Sequence, residues 1–198
     1  MLIAITSSVL CRDDFLKRIE LIAASGADRI ILREKQLAEK SYTLLAEKCF
    51  ESCRKYGTAF SVSSFVSAAK LLKADLHVPL PVLENDPTLP DGFDCLGASV
   101  HSPEEAQRAY KLGASYVIAG HIFETDCKKG LPPRGLQYLS DVVRSVDIPV
   151  FAVGGIKARN CHEVFSAGAR GICVMSELMT CPCNEIGVRV RALKDAFG

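Results

Sequence analysis

Residues 148–178 read IPVFAVGGIKARNCHEVFSAGARGICVMSEL, and this stretch decides the expected fold. An apolar run at 148–153 ends at two glycines, and a second run at 171–175 ends at a serine. Between them, RNCHEVFSAG (159–168) has a helical pattern and closes with glycine. Nearly continuous apolar runs are typical of strands that are buried on both faces of a parallel sheet. The stretch therefore predicts a strand–helix–strand unit with parallel strands.

The same alternation extends through nearly the whole chain. Each strand-like run is followed by a helical pattern, except where residues 79–93 are rich in proline and aspartate. The eight strand-like runs cover 2–8, 29–35, 59–64, 75–82, 95–102, 116–123, 148–156 and 171–178. Eight such units without a linker or low-complexity tract predict an α/β fold with one domain (1–198), a closed (β/α)8 TIM barrel. An open doubly wound sheet is the alternative.

Composition narrows the classes of function. The 198 residues are 48% apolar, which is enough for one sizeable core. The net charge of +1 gives a weak overall field, so we expect no nucleic-acid partner and only local anion binding. No apolar run is long enough to span a bilayer, so we expect no membrane partner. Nine cysteines without a zinc-finger spacing favour a reducing environment, and we expect a cytoplasmic protein whose thiols are mostly buried.

Residues at the ends of the last two strand-like runs suggest a phosphate site. In TIM barrels the functional groups lie at the carboxyl ends of the strands, and the loops after strands seven and eight often hold a phosphate. Gly154 and Gly155 follow the seventh run, and Met175 and Ser176 follow the eighth. Glycines let main-chain N–H groups approach an anion closely, and the start of a helix adds further donors. A tight turn that simply needs glycine is the alternative interpretation.

Three cations occupy positions near other strand ends. Arg33 and Lys35 are two residues apart, so in a strand they would share one face, and a pair that faces the barrel mouth would need an anion. Lys128 lies in a loop that ends at Gly130 and could close over a phosphate or carboxylate. A solvated strand end for the pair, and a flexible surface lysine for Lys128, are the alternatives.

Five segments together resemble the thiamine phosphate synthase/TenI family, in order and at family-like spacing. They are ILREK (31–35), GASVHSPEEA (97–106), YVIAGHIFETDCKKG (116–130), IPVFAVGGI (148–156) and AGARGICVMSEL (167–178). The resemblance implies a homodimeric TIM barrel that acts on a phosphorylated thiazole. Synthases of this family join a pyrimidine diphosphate to a thiazole phosphate with magnesium. TenI-type members isomerise a carboxythiazole phosphate to its aromatic form.

Three departures from the synthase pattern favour the TenI type. Synthases carry Asn-Asp after the third strand, where this chain has Ser63 and Ser64. The acidic ligand that synthases have after the fourth strand is replaced here, in LHVPLPVLEND, although His77 remains. Synthases have Gly-Pro where this chain has Gly120 and His121, and an imidazole can move protons while proline cannot. The resemblance therefore implies a thiazole tautomerase, an isomerase without a metal or cofactor.

The resemblance also implies roles for individual residues. His121 would be the general acid/base, and Lys128 would pair with the substrate carboxylate or phosphate. Ser99 matches a family position near the diphosphate, and a structural role is favoured over a catalytic one for His77 and His101. The remaining substrate-binding candidates are Arg33, Lys35, Thr125, Gly154, Gly155, Met175 and Ser176. A thiamine phosphate synthase and a non-enzymatic regulator that binds a thiamine precursor remain the alternatives.

Overall fold

The computed structural model describes residues 1–196 and is a closed barrel of eight parallel strands. The strands pair in chain order, and β1 also pairs with β8, which closes the barrel. The strands are β1 (Leu2–Ile5), β2 (Arg29–Leu32), β3 (Ala59–Ser63), β4 (Asp75–Pro79), β5 (Leu96–Val100), β6 (Tyr116–Gly120), β7 (Val150–Val153) and β8 (Gly171–Val174). The predicted (β/α)8 fold is confirmed, and the open sheet is excluded. Positions 197 and 198 of the predicted domain lie outside the described residues.

Helices cover the outside of the barrel. They are α1 (Phe15–Ala24), α2 (Glu39–Lys55), α3 (Val66–Leu72), α4 (Leu80–Asn85), α5 (Pro103–Lys111), α6 (Gly135–Arg144), α7 (Cys161–Ser166), α8 (Ser176–Met179) and α9 (Ile186–Asp195). Side-chain caps fix two of their starts, because Asp14 accepts from the Lys17 N–H and Ser102 accepts from the Glu105 N–H. Within residues 1–196, no helix has the length and apolar character needed to cross a membrane.

The segment after β4 departs from the sequence prediction. The predicted strand 75–82 ends at Pro79, and α4 begins at the next residue. Pro81 lies in the first turn of α4, where a helix does not need the main-chain N–H that proline lacks. The prediction that residues 79–93 lack a helix was therefore wrong, because prolines that start a helix were interpreted as the end of a strand.

The core has two parts. Strand residues that face outward pack against the helices in one large cluster, which includes Leu2, Ile30 and Val62. The barrel interior holds a second apolar cluster, formed by Ile3, Ile5, Ile31, Tyr116, Ile118, Phe151 and Cys173. Polar side chains fill the rest of the interior near β2, β3 and β4, where Arg29, Ser61 and His77 are buried. The interior below the strand ends is thus apolar on one side and hydrogen-bonded on the other.

The nine cysteines are all free thiols. Five are buried, three are partly buried and Cys127 alone is exposed. The prediction that most thiols act as small buried hydrophobic groups is confirmed.

Candidate active site

A cavity of about 1070 Å³ opens at the carboxyl ends of the strands, and we call it the mouth. Closure of the barrel brings together strand ends that are far apart in sequence. All ten candidate residues from the sequence line this one cavity: Arg33, Lys35, Ser99, His121, Thr125, Lys128, Gly154, Gly155, Met175 and Ser176. Their individual roles remain predictions, but they occupy a common space.

His121 directly follows β6, and the peptide bond that joins it to Gly120 is cis. Its ring is partly buried in the mouth, with Nε2 3.4 Å from the main-chain oxygen of Leu131. The N–H of Arg134 donates to the His121 carbonyl (3.0 Å), and the N–H of Gly135 donates to the next carbonyl, that of Ile122 (3.1 Å). These two bonds close the base of the loop 123–134, which carries Thr125 and Lys128 beside the imidazole.

The two glycines after β7 pack directly against the segment that carries the histidine. Gly154 (φ +103°) and Gly155 (φ +67°) both adopt left-handed conformations that favour glycine. A β-carbon on Gly154 would lie 2.3 Å from the His121 β-carbon, and one on Gly155 would lie 2.3 Å from the Glu124 oxygen. The Phe123 N–H also donates to the Gly154 carbonyl (3.0 Å). The glycines are therefore required for packing, and they bring main-chain atoms close to the imidazole.

Five cationic side chains line the mouth, and the three that the sequence singled out form no salt bridge within residues 1–196. Because β2 ends at Leu32, Arg33 and Lys35 lie in the following loop, so the shared strand face that the sequence suggested does not apply. Both line the mouth, together with Lys128. Burial lowers the pKa of Lys35, and the positive charges of Arg33 and Lys128 lower it further. The acids Glu124, Asp126 and Glu177 also line the mouth, but within residues 1–196 none of them forms a salt bridge with these three side chains.

The sequence indicates that Glu34 lies at a strand end but gives it no role, whereas the structure shows that it joins the loops after β1 and β2. Its buried carboxylate accepts hydrogen bonds from the Thr6 hydroxyl (2.5 Å), the Ser8 hydroxyl (2.6 Å) and main-chain N–H (2.8 Å), and the Gln36 amide (2.9 Å). The Arg33 N–H donates to the same Thr6 hydroxyl (2.9 Å). Glu34 thus joins the loop after β1 to the loop that carries Arg33. An acid between two cations at a strand end was the available signal.

His77 is buried inside the barrel and also lines the mouth. Its Nδ1 is 3.2 Å from the Tyr116 hydroxyl, and its Nε2 is 2.8 Å from the Ser99 hydroxyl. Burial, followed by the charge of Arg29, lowers the pKa of His77 to about 3, so the ring is neutral at pH 7. The favoured structural role of His77 fits this bonded position. The hydrogen bond between His77 and Ser99 also makes Ser99 the last member of a hydrogen-bonded series that runs from Tyr116 through His77.

The other two histidines differ from His77. His101 is exposed, and its Nδ1 lies 3.1 Å from the Gly120 main-chain oxygen. Its N–H donates to Glu105 (2.7 Å), which fixes the start of α5. His162 is exposed on α7.

The end of β3 presents neutral hydroxyls to the mouth. Ser63 and Ser64 both line the cavity. Ser64 has a φ of +69°, and its N–H donates to the His77 carbonyl (3.0 Å). Across residues 1–196, no three His, Cys, Asp or Glu side chains come together in a way that could hold a metal ion.

The fold and the mouth define a (β/α)8-barrel enzyme whose site carries unpaired cations and an accessible imidazole. A family model described as thiamine monophosphate synthase matches residues 2–178. The chain belongs to this family of thiamine biosynthesis. It is 36% identical over 183 residues to a thiamine-phosphate synthase of Pelotomaculum thermopropionicum, which covers 89% of this chain and 83% of that protein.

Two further comparisons agree with this membership. A thiamine-phosphate synthase of Fusobacterium nucleatum is 33% identical over 171 residues, covering 84% of this chain and 82% of that protein. The structure of a thiamine phosphate pyrophosphorylase from Pyrococcus furiosus superposes with a TM-score of 0.83 and 29% identity. That match covers 98% of this chain and 94% of the other. The family resemblance seen in the sequence is confirmed over nearly the whole chain.

Proposed function

We propose that the protein is a thiazole tautomerase, an isomerase that converts the ylidene tautomer of a carboxythiazole phosphate to its aromatic form. The observation that carries this proposal is the position of His121, which packs against Gly154 through its β-carbon and lines the same cavity as Arg33, Lys35 and Lys128. An imidazole can both accept and donate a proton near neutral pH, and this reaction consists of proton transfers.

The phosphate of the substrate would bind at the ends of β7 and β8. Gly154 and Gly155 have no side chains to block an anion from their N–H groups, and Ser176 begins α8, where the first N–H groups lack helical acceptors. This place lies beside His121, so a phosphate there would hold the thiazole ring near the imidazole. Met175 contributes the main chain that precedes the helix start.

Arg33, Lys35 and Lys128 would bind the negative charge of the substrate that lies outside its phosphate group. Lys128 comes from the loop 123–134, and Arg33 and Lys35 come from the loop after β2. We assign the substrate carboxylate to these cations, because within residues 1–196 none of them forms a salt bridge with a protein carboxylate. The Thr125 and Ser99 hydroxyls, also in the mouth, would add neutral hydrogen bonds.

The proton balance of the reaction requires one acid/base group. The ring carbon loses a proton to His121, and the imidazolium so formed returns a proton to the exocyclic carbon, directly or through water, so the elements of the substrate and the state of His121 are unchanged. The electron pair of the broken C–H bond moves into the ring, which becomes aromatic, and no oxidant or reductant is needed.

A thiamine-phosphate synthase is the second candidate, and the names of the relatives favour it. Synthases of the family use magnesium to hold a diphosphate. The donors at the end of β3 do not fit this ion, because Ser63 and Ser64 offer neutral hydroxyls where Mg²⁺ prefers carboxylates. No reaction step is therefore derived through magnesium.

The two enzymatic candidates are separated by assaying one preparation for both reactions. We expect the purified protein to speed conversion of the carboxythiazole tautomer, and we expect His121→Ala to lose about 10²- to 10⁴-fold in rate. His162→Ala, on the exposed face of α7, is the matched control and should retain full activity. An unchanged rate in His121→Ala would show that the assigned role is wrong.

Incubation with a pyrimidine diphosphate, a thiazole phosphate and magnesium tests the synthase directly. Steady formation of thiamine phosphate would support the synthase in place of the tautomerase. Tight ligand binding by calorimetry without turnover in either assay would favour a non-enzymatic regulator. The family resemblance also implies a homodimer, which light scattering of the purified protein would test.

A further inference from the structure

Hydrogen-bonding side chains cross the barrel interior from the amino ends of the strands to the mouth. Arg29, the first residue of β2, forms an ion pair with Asp75, the first residue of β4. It also donates from Nη1 to the Ser61 hydroxyl (2.6 Å). The Arg29 guanidinium lies 5.7 Å from the centre of the Tyr116 ring, so a positive charge is buried next to that tyrosine.

Two further hydrogen bonds connect Tyr116 to the mouth. The Tyr116 hydroxyl is 3.2 Å from His77 Nδ1, and His77 Nε2 is 2.8 Å from the Ser99 hydroxyl. Tyr116 and His77 are buried, whereas Ser99 is partly exposed in the mouth. Tyr116 does not line the mouth, whereas His77 and Ser99 both do, and Ser99 is the more exposed of the two.

A glycine makes this connection possible. Gly97 on β5 lies in register between His77 on β4 and Tyr116 on β6. A β-carbon on Gly97 would lie 2.1 Å from Cζ of Tyr116, so the tyrosine ring lies across the bare main chain. The ring thereby reaches over one strand, and its centre is 5.6 Å from that of the His77 ring. Any side chain at position 97 would block this contact.

The direction of the hydrogen bonds follows from the buried cation. A neutral imidazole has one donor and one acceptor nitrogen, so His77 can pass a hydrogen bond in only one of two directions. A positive charge orients nearby dipoles with their negative ends toward it, and Arg29 lies on the Tyr116 side. This orientation would point the Tyr116 proton away from Arg29, to His77 Nδ1. The His77 proton would then be on Nε2 and would be donated to Ser99.

We propose that Tyr116 holds His77 in the Nε2–H tautomer, and that His77 thereby commits the Ser99 hydroxyl to donate its proton into the mouth. Ser99 then favours a hydrogen-bond acceptor on the substrate, such as a carboxylate or phosphate oxygen. It disfavours a substrate group that can only donate a hydrogen bond. Ser99 is the residue that touches the substrate, and His77 and Tyr116 are positioning residues. The identity of that substrate rests on the proposed function, whereas the tautomer of His77 does not.

Nitrogen NMR of protein labelled with ¹⁵N-histidine tests the tautomer without any substrate. We expect His77 to be neutral from pH 5 to 8, with the proton on Nε2 and an unprotonated Nδ1 that accepts the hydrogen bond from Tyr116. In Tyr116→Phe the Nδ1 resonance should move, because it loses the tyrosine proton. In Tyr42→Phe it should stay, because that equally buried hydroxyl bonds to the Leu32 carbonyl and the Ser63 N–H instead.

A proton on Nδ1 of His77 in the unaltered protein would overturn the proposal, and this measurement needs no variant to fold. An Nδ1 resonance that Tyr116→Phe leaves in place would overturn the link to Tyr116. These outcomes are independent of activity, so they are distinguishable from a failure of the tautomerase assay.

Steady-state kinetics test the consequence at Ser99 once a substrate is established. Ser99→Ala should lose about 10- to 100-fold in kcat/KM, the usual effect of removing a hydrogen bond to a charged group. His77→Gln keeps an N–H donor toward Ser99 and should retain more kcat/KM than His77→Leu. Equal losses in the Gln and Leu variants would show that His77 only fills space and would contradict the positioning role.

Discussion

His121 and Gly154 pack so closely that a β-carbon at position 154 would lie 2.3 Å from the β-carbon of the histidine. This contact joins the end of β7 to the residue after β6, and it determines where the imidazole can lie. The glycine pair therefore has a packing role beside the anion-binding role that its position in the barrel predicts. The two roles can be separated by mutation.

Gly154→Ala should destabilise the protein and displace His121. The left-handed conformation alone costs a residue with a β-carbon about 1–2 kcal/mol, and overpacking adds about 1–3 kcal/mol. Gly57→Ala is the matched control, because Gly57 also has a positive φ (+69°) but has no atom within 4 Å of the added carbon. Urea unfolding of both variants measures the difference. Equal losses of unfolding free energy would show that the contact with His121 is unimportant.

Glu34→Ala should weaken substrate binding through the loops that it joins. The variant leaves the Thr6 and Ser8 donors without their acceptor, and hydrogen bonds to a charged group contribute about 1.5–3 kcal/mol each. The loop that carries Arg33 and Lys35 would lose its support, so KM should rise more than kcat falls. Glu51→Ala, at an exposed position of α2, is the control. A KM as low as in the unaltered protein would contradict this positioning role.

Lys35→Gln should weaken the binding of inorganic phosphate or pyrophosphate. Partial desolvation and two neighbouring cations lower the pKa of Lys35. Within residues 1–196 its side chain forms no salt bridge, so its positive charge lacks compensation by a paired carboxylate. An anion would supply that compensation, so we expect an affinity loss of about 10-fold by calorimetry. Lys48→Gln, which removes an exposed lysine of α2, should leave the affinity unchanged. If both variants bind equally well, Lys35 is not part of the anion site.

His77 should make the protein less stable as the pH falls from about 6.5 toward 3. The folded-state pKa is lowered from 6.5 to about 3, so between these values the unfolded chain binds a proton that the folded chain does not. The free energy of unfolding then falls with decreasing pH by at most about 1.4 kcal/mol per unit from this residue.

Urea unfolding at pH 6.5 and 5.5 measures this slope above the range in which most carboxylates titrate. The His77→Gln variant lacks this titrating group. Its free energy of unfolding should therefore fall less steeply with decreasing pH, by about the contribution of His77. Identical slopes in the two proteins would mean that His77 is protonated in the folded state, contrary to its buried position.

The barrel and the location of the site were predictable from local patterns. Apolar runs such as 148–153 and 171–175 indicate strands that are buried on both faces, because burial on each face leaves no polar alternation. Closure then requires all carboxyl ends to meet, so residues as distant as Arg33 and Ser176 could be assigned to one mouth. The helix at Leu80–Asn85 was missed, because proline at a helix start and proline at a strand end look alike in sequence.

The roles of the buried polar residues were not predictable. The sequence alone determined the order of strands and helices and the set of side chains at the strand ends, because these follow from the period of burial along the chain. Only the tertiary structure decided that Tyr116 reaches His77 across Gly97, and that Glu34 joins two loops. Those contacts depend on the register between strands and on close approach of residues distant in sequence. No local sequence pattern encodes the register between strands or the approach of distant residues.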